Sequence, residues 1–179
     1  MFRCMHVLVE GRDDRELFNA VIKPMLQGRY DHVEVWEYAQ ETIERRMGYL
    51  RSTQALNADY FFMGDFNTSP CITERKEHLV KCYEPMLNVS HTVIVRAEIE
   101  SWYLAGVDDK NCRELGIPTI RHTDSITKEQ FEKMMPVRFD SVADFMEEIL
   151  NRFRIDTAKR KNRSFSYLMD KLEARSKKV

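Results

Sequence analysis

Acidic side chains close several of the apolar runs in this chain, and their types and placement suit the binding of a divalent metal ion. Glu10 follows Cys4-Met5-His6-Val7-Leu8-Val9, and Asp65 ends Asp59-Tyr60-Phe61-Phe62-Met63-Gly64-Asp65. Glu98 and Glu100 come just after His91-Thr92-Val93-Ile94-Val95-Arg96. If these runs are strands of one parallel sheet, three consecutive strand ends carry carboxylates. Ligands bind beyond the carboxyl ends of such strands, where loops converge and helix N-termini point into the crevice. Carboxylates brought close together repel unless a cation neutralises them, and hard oxygen donors suit Mg2+ or Mn2+ rather than zinc. Taken singly, each acid reads as a solvated cap; their joint placement is what favours a metal.

The elements that must position them are legible from periodicity. Four short apolar runs, at 4–9, 33–36, 59–65 and 91–96, read as strands. Between them lie helical patterns from Asp13 to about Leu26, from about Glu41 to Leu56 and from Ile72 to Met86. Asp13 or Asp14 can cap the first of these helices. Apolar strands alternating with helices predict an α/β fold: a mostly parallel sheet of about four strands with helices on both faces. After Gly106 the character becomes helical. Thr127-Lys128-Glu129-Gln130 has the form of a capping box, Ser141 can cap a helix over 142–153, and a last helix is expected over 164–174. We expect a single domain over 1–179, with an α/β core at 1–106 and a helical extension at 107–179.

Composition narrows the class. A chain of 179 residues, 43% hydrophobic and 32% charged, is suited to one packed core. No apolar run reaches the roughly 18–20 residues of a membrane helix and no signal peptide is apparent, so a cytoplasmic location is expected. The cysteines Cys4, Cys71, Cys82 and Cys112 form no CxxC pair and read as reduced thiols. From Asp156 onward there are eight Lys or Arg against three acids, which leaves the first 155 residues at about −6. Such a basic tail is either a solvated helix or a contact to a nucleic-acid backbone. His6 reads as a packed strand residue and Trp102 as core, while His122 sits in a polar loop.

Two stretches carry a resemblance. Val9-Glu10-Gly11-Arg12-Asp13-Asp14 resembles the first motif of Toprim domains, and Gly64-Asp65-Phe66-Asn67 falls where that family has its Asp-x-Asp motif. The resemblance covers about residues 3 to 105 and implies a Rossmann-like Toprim fold. In that family, which includes the overcoming-lysogeny-defect (OLD) nucleases, acids hold Mg2+ for phosphoryl transfer. Arg96-Ala97-Glu98-Ile99-Glu100-Ser101-Trp102-Tyr103-Leu104-Ala105 and Lys161-Asn162-Arg163-Ser164-Phe165-Ser166-Tyr167 are similar to segments of small uncharacterised Toprim-like proteins related to that nuclease group.

The resemblance makes Glu10 a metal ligand or general base and Asp65 the central metal ligand, with Asp14 in support. Asn67 replaces the second aspartate by a neutral ligand and lowers the charge of the site. Glu98 and Glu100 share a face if both are extended, and could supply a second ion; if a helix begins at Glu98 only one faces the site, with Glu100 preferred. Arg12, Arg96 and Lys128 would neutralise phosphate charge. The function expected is an Mg2+- or Mn2+-dependent nuclease acting on DNA or RNA, in defence or genome maintenance. The alternative is a non-catalytic nucleic-acid or protein-binding module with a degenerate site. A separate ATPase partner is a further hypothesis, since the larger related nucleases carry a fused one. A nucleotide-binding domain of another kind ranks last, because there is no Walker motif and no GxGxxG.

Overall fold

A computed structural model describes residues 2–66 and 69–176, and Asn67 lies outside them. The chain divides into two compact units, Met1–Ile94 and Val95–Val179. Its central element is a four-stranded parallel sheet in the order β2-β1-β3-β4, built from β1 (Cys4–Val9), β2 (His32–Glu37), β3 (Asp59–Asp65) and β4 (Thr92–Val95). This is the Rossmann-like α/β architecture that the alternation of apolar strands and helical patterns implies.

In β1 and β3 residues of both parities are buried: Met5, Val7, Leu8, Val9, Phe61, Phe62 and Met63 are all shielded from solvent. Alternate side chains of a strand point to opposite faces, so both faces of this sheet are covered, as parallel sheets require. On one face Leu8, Tyr60 and Phe62 form a cluster with Leu50, Leu79, Tyr83 and Leu87. The helices behind that cluster are α3 (Ile43–Ala55) and α4 (Ile72–Cys82). His6 belongs to the same face. Its Nδ1 lies 2.9 Å from Tyr49 Oη and 3.4 Å from Thr53 Oγ1, which is the packed role its strand position suggests.

The helical connections follow local chemistry. Gly11, rather than Asp13 or Asp14, is the N-cap residue of α1 (Arg12–Leu17), and both aspartates fall in the first turn, where Asp14 accepts the Gly11 N–H at 3.2 Å. A π-helical turn (Phe18–Ile22) then leads into α2 (Lys23–Leu26). Pro24 cannot donate to a carbonyl one turn back, and the wider turn before it accommodates that loss. Thr42 caps α3 through the Arg45 N–H. α4 stops at Cys82, four residues short of the expected end, because Pro85 cannot continue a helix and biases the residue before it away from helical angles.

The second unit is helical: α5 (Glu100–Ala105), α6 (Asp109–Leu115), α7 (Lys128–Met134), α8 (Val142–Leu150), α9 (Ile155–Lys161) and α10 (Arg163–Ser176). The capping box at Thr127 and Gln130 is present, and Ser141 caps α8 through the Asp144 N–H. Gly106 ends α5 against the Phe153 ring; a Cβ at this position would stand 2.2 Å from that ring. Trp102 is fully buried edge-on to Phe165 at 5.3 Å between ring centroids, the core role its surroundings in the sequence indicate. Among the described residues no helix is long and apolar enough to cross a membrane.

Gly106→Ala should overpack this contact and cost about 1–3 kcal/mol in urea unfolding. Adding Phe153→Leu should recover most of the loss. A second expectation concerns His6. Burial lowers its pKa, against an opposing pull from Glu34 and with a further lowering from His32. Below the unfolded value of about 6.5 the unfolded chain therefore binds a proton that folded His6 resists, so this stabilisation is complete above that pH and declines as pH falls. Urea midpoints at about pH 7.5 and about pH 5.5 should differ less in His6→Gln than in the wild type.

Candidate functional site

The acidic site of the first unit follows from strand register. Parallel pairing sets Leu8 opposite Phe62, which brings the carboxyl ends of β1 and β3 side by side. Glu10, the residue after β1, then accepts the Asp65 N–H on its Oε2 at 3.1 Å. One turn into α1, Asp14 is buried and bound back to Gly11. Thus the β1–α1 turn and the end of β3 converge, and three of the expected residues, Glu10, Asp14 and Asp65, come together.

Tyr38, the residue after β2, reports that convergence. Its hydroxyl donates to the Met63 carbonyl at 2.8 Å. Burial pushes the phenol well above its ordinary pKa, and the negative charges of Glu10, Asp14 and Asp65, with Tyr83, push it the same way. The ring is therefore neutral and fixed as a donor. The Arg46 guanidinium lies over the Tyr38 ring, 5.1 Å from its centroid, and donates to the Ala39 carbonyl at 2.9 Å.

Gly64 is a consequence of this packing. A Cβ there would stand 3.1 Å from Leu79 Cδ1 and 3.4 Å from the Tyr38 hydroxyl, so the residue before Asp65 must be small. Arg75 of α4 completes the arrangement, donating from Nε to the Asp65 carbonyl at 2.8 Å. The Asp65 backbone is thereby held at both ends, its N–H by Glu10 and its C=O by Arg75. Of the expected cations in this unit, Arg12 is exposed at the start of α1.

The donor set is chemically suited to a hard cation. Mg2+ retains several of its waters and needs only one or two carboxylates from the protein. The Glu10 and Asp65 pair meets that requirement in ligand type. Among the described residues no group of three or more His, Cys, Asp or Glu side chains is arranged to hold a metal ion, so any ion here would rest on a smaller protein donor set.

The remaining expected residues lie in the second unit, where the two similar stretches bind one another. Ser164 Oγ accepts the Arg96 N–H at 3.1 Å and the Trp102 Nε1–H at 2.8 Å, and donates to Asn162 Oδ1 at 2.8 Å. Asn162 Nδ2 donates to Ser101 Oγ at 3.2 Å and to Thr123 Oγ1 at 3.1 Å. Ser101, Thr123, Asn162 and Ser164 are buried, so the loss of one of these bonds would leave polar atoms without water to replace it.

This network fixes the segment that carries Arg96, Glu98 and Glu100. Ala97 sits at φ 55°, a left-handed conformation uncommon for a residue with a Cβ. It is braced by the Ser164 bond to Arg96 N and by Ser101 Oγ donating to the Arg96 carbonyl at 3.1 Å. Arg96 is 3.5 Å from the Asp124 carboxylate, which also faces Arg163 at 3.5 Å. Glu98 accepts the backbone N–H of Lys128 and so caps α7. Lys128 itself is exposed. Because α5 begins at Glu100, the two glutamates have different surroundings: Glu98 caps α7, thirty residues further along the chain, and Glu100 is buried in the first turn of α5.

Comparison with known proteins adds no name to this arrangement: no protein-family model matches the chain, and no curated protein or solved structure shows a significant match.

Two contributors escaped the sequence reading. Tyr38 carries no local signal beyond following an apolar strand. Arg75 had one: with Ile72 and Leu79 it forms an i, i+3, i+7 stripe on α4, and a cation on an apolar stripe is worth attention. Ser164→Ala should destabilise the chain by about 1–3 kcal/mol in urea unfolding, because one hydroxyl serves two donors and one acceptor. Trp102 fluorescence should report the same transition.

Proposed function

We infer that the chain is a phosphodiester-processing protein of the Toprim kind, a nuclease using Mg2+ or Mn2+ at Glu10 and Asp65. The observation that carries this reading is the hydrogen bond from Asp65 N–H to Glu10, which joins the two motif-bearing strand ends, with Asp14 beside them. The resemblance of Val9–Asp14 and Gly64–Asn67 to the Toprim motifs supplies the reaction class. Bound there, a divalent ion would polarise the phosphate and make a water molecule acidic.

The protein's own contribution is positional. Glu10 and Asp65 would hold the ion, with Asp14 maintaining the turn on which Glu10 sits. Tyr38 and Arg75 fix the backbone on either side of the Asp65 side chain. DNA or RNA is the substrate class, and a separate ATPase remains the partner to seek. In the second unit Glu98 is engaged as a helix cap, while Glu100 is buried in the first turn of α5.

A second reading has its own support. Glu10 is already occupied with the Asp65 amide, and the described residues contain no three-ligand metal group. A nucleic-acid or protein-binding module with a degenerate site would have this character.

Cleavage of supercoiled plasmid, single-stranded DNA and structured RNA with Mg2+ or Mn2+ tests both readings. Metal-dependent cutting should fall at least about 10²-fold in Glu10→Ala and in Asp65→Ala, and should stop with EDTA. A folded protein that binds nucleic acid, binds no Mn2+ and cuts nothing would establish the binding module instead.

A further inference from the structure

We propose that Arg75 is the phosphate-contacting arginine of the acidic site, taking a non-bridging oxygen of the phosphodiester with the guanidinium nitrogens that Asp65 leaves free. This role rests on the nuclease reading of Glu10 and Asp65 and names the group that reading lacks.

An acidic cluster repels the substrate it must process. The Glu10 carboxylate meets the Asp65 N–H at 3.1 Å, and Asp14 is bound to the Gly11 N–H next to Glu10, so acidic residues gather at these strand ends. A phosphodiester brings another negative charge to the same place, and a fixed cation beside the reacting phosphate is the usual remedy. Of the cations expected from sequence, Arg12 is exposed, Arg96 faces Asp124 at 3.5 Å, and Lys128 is exposed on α7.

Arg75 differs in being anchored to the site itself. Its Nε donates to the Asp65 carbonyl at 2.8 Å, so the guanidinium lies against the peptide of the central carboxylate residue. The side chain is half-buried, and among the described residues it forms no ion pair. A planar guanidinium anchored through Nε keeps two Nη groups, a rigid fork that matches two phosphate oxygens. Lysine cannot do both jobs, since its single nitrogen would have to serve the carbonyl and the phosphate together. Ile72 and Leu79, on the same stripe of α4, pack into the apolar cluster and fix the helix that carries Arg75.

The test uses the full chain as wild type, Arg75→Ala, Arg75→Lys and Asp65→Asn. The readouts are Mn2+ affinity by calorimetry, single-turnover cleavage of a labelled single-stranded oligonucleotide, and the thermal midpoint. Arg75→Ala should bind Mn2+ within about threefold of wild type yet cleave about 10²-fold more slowly, with partial rescue by added guanidinium. Asp65→Asn should lose Mn2+ binding as well. If Arg75→Ala does not fold, Arg75→Lys decides, and a loss of at least about tenfold in the cleavage step supports the contact.

Wild-type cleavage rates in folded Arg75→Ala or Arg75→Lys would overturn the role of Arg75 and leave the nuclease reading standing. Joint loss of Mn2+ affinity and cleavage in Arg75→Ala, without guanidinium rescue, would reduce Arg75 to a support for Asp65 and overturn the phosphate contact. A wild-type protein that neither binds Mn2+ nor cleaves would overturn the nuclease reading, and this role with it.

Discussion

Parallel pairing of β1 with β3 is the constraint on which the acidic site depends. It is a backbone fact before it is a chemical one: register puts two chain reversals at the same end of the sheet, fifty-odd residues apart in sequence. Everything that distinguishes this end of the sheet then follows from packing around Asp65. Gly64 admits Tyr38 and Leu79, Tyr38 fixes the carbonyl at Met63, and Glu10 and Arg75 take the two polar groups of the Asp65 backbone. A carboxylate on a mobile loop would turn toward solvent; here the backbone beneath it is bonded from three elements.

The two units solve different problems with similar means. In the first, polar groups cluster where strands end and charge accumulates. In the second, neutral side chains form the network, and Asn162 and Ser164 draw the segment after β4 onto the start of α10. Neutral hydrogen bonds are the better choice for a buried lock, because no ion has to leave water. Ala97 shows how tightly that lock holds: a strained backbone conformation persists only where its surroundings determine it fully.

Much of the architecture was legible because it is written locally. Apolar runs marked β1 and β3, and Thr127, Gln130 and Ser141 marked helix starts through the amides they cap. The short helices α6 and α9 were not separately legible, since seven residues give too few turns to establish a period. The acids Glu10 and Asp65 were legible as residues at strand ends, and the Asp65 N–H bond to Glu10 joins those two ends. Tyr38 and Arg75 were missed because their bonds run to backbone carbonyls in other elements, and a carbonyl carries no residue identity to read.

The Asn162 and Ser164 network also orders events in time. Three of its bonds join residues more than sixty positions apart, so the loop around Ala97 emerges from synthesis well before Asn162 and Ser164. Contacts of such separation form late, after the chain has met the entropy of closing a long loop. Until α10 begins to form, the Trp102 indole N–H lacks Ser164, and the strained turn has only the local Ser101 bond to the Arg96 carbonyl to hold it. The segment after β4 therefore acquires its shape only as the second unit closes on itself, which makes completion of that unit a checkpoint for the whole stretch from Arg96 to Trp102.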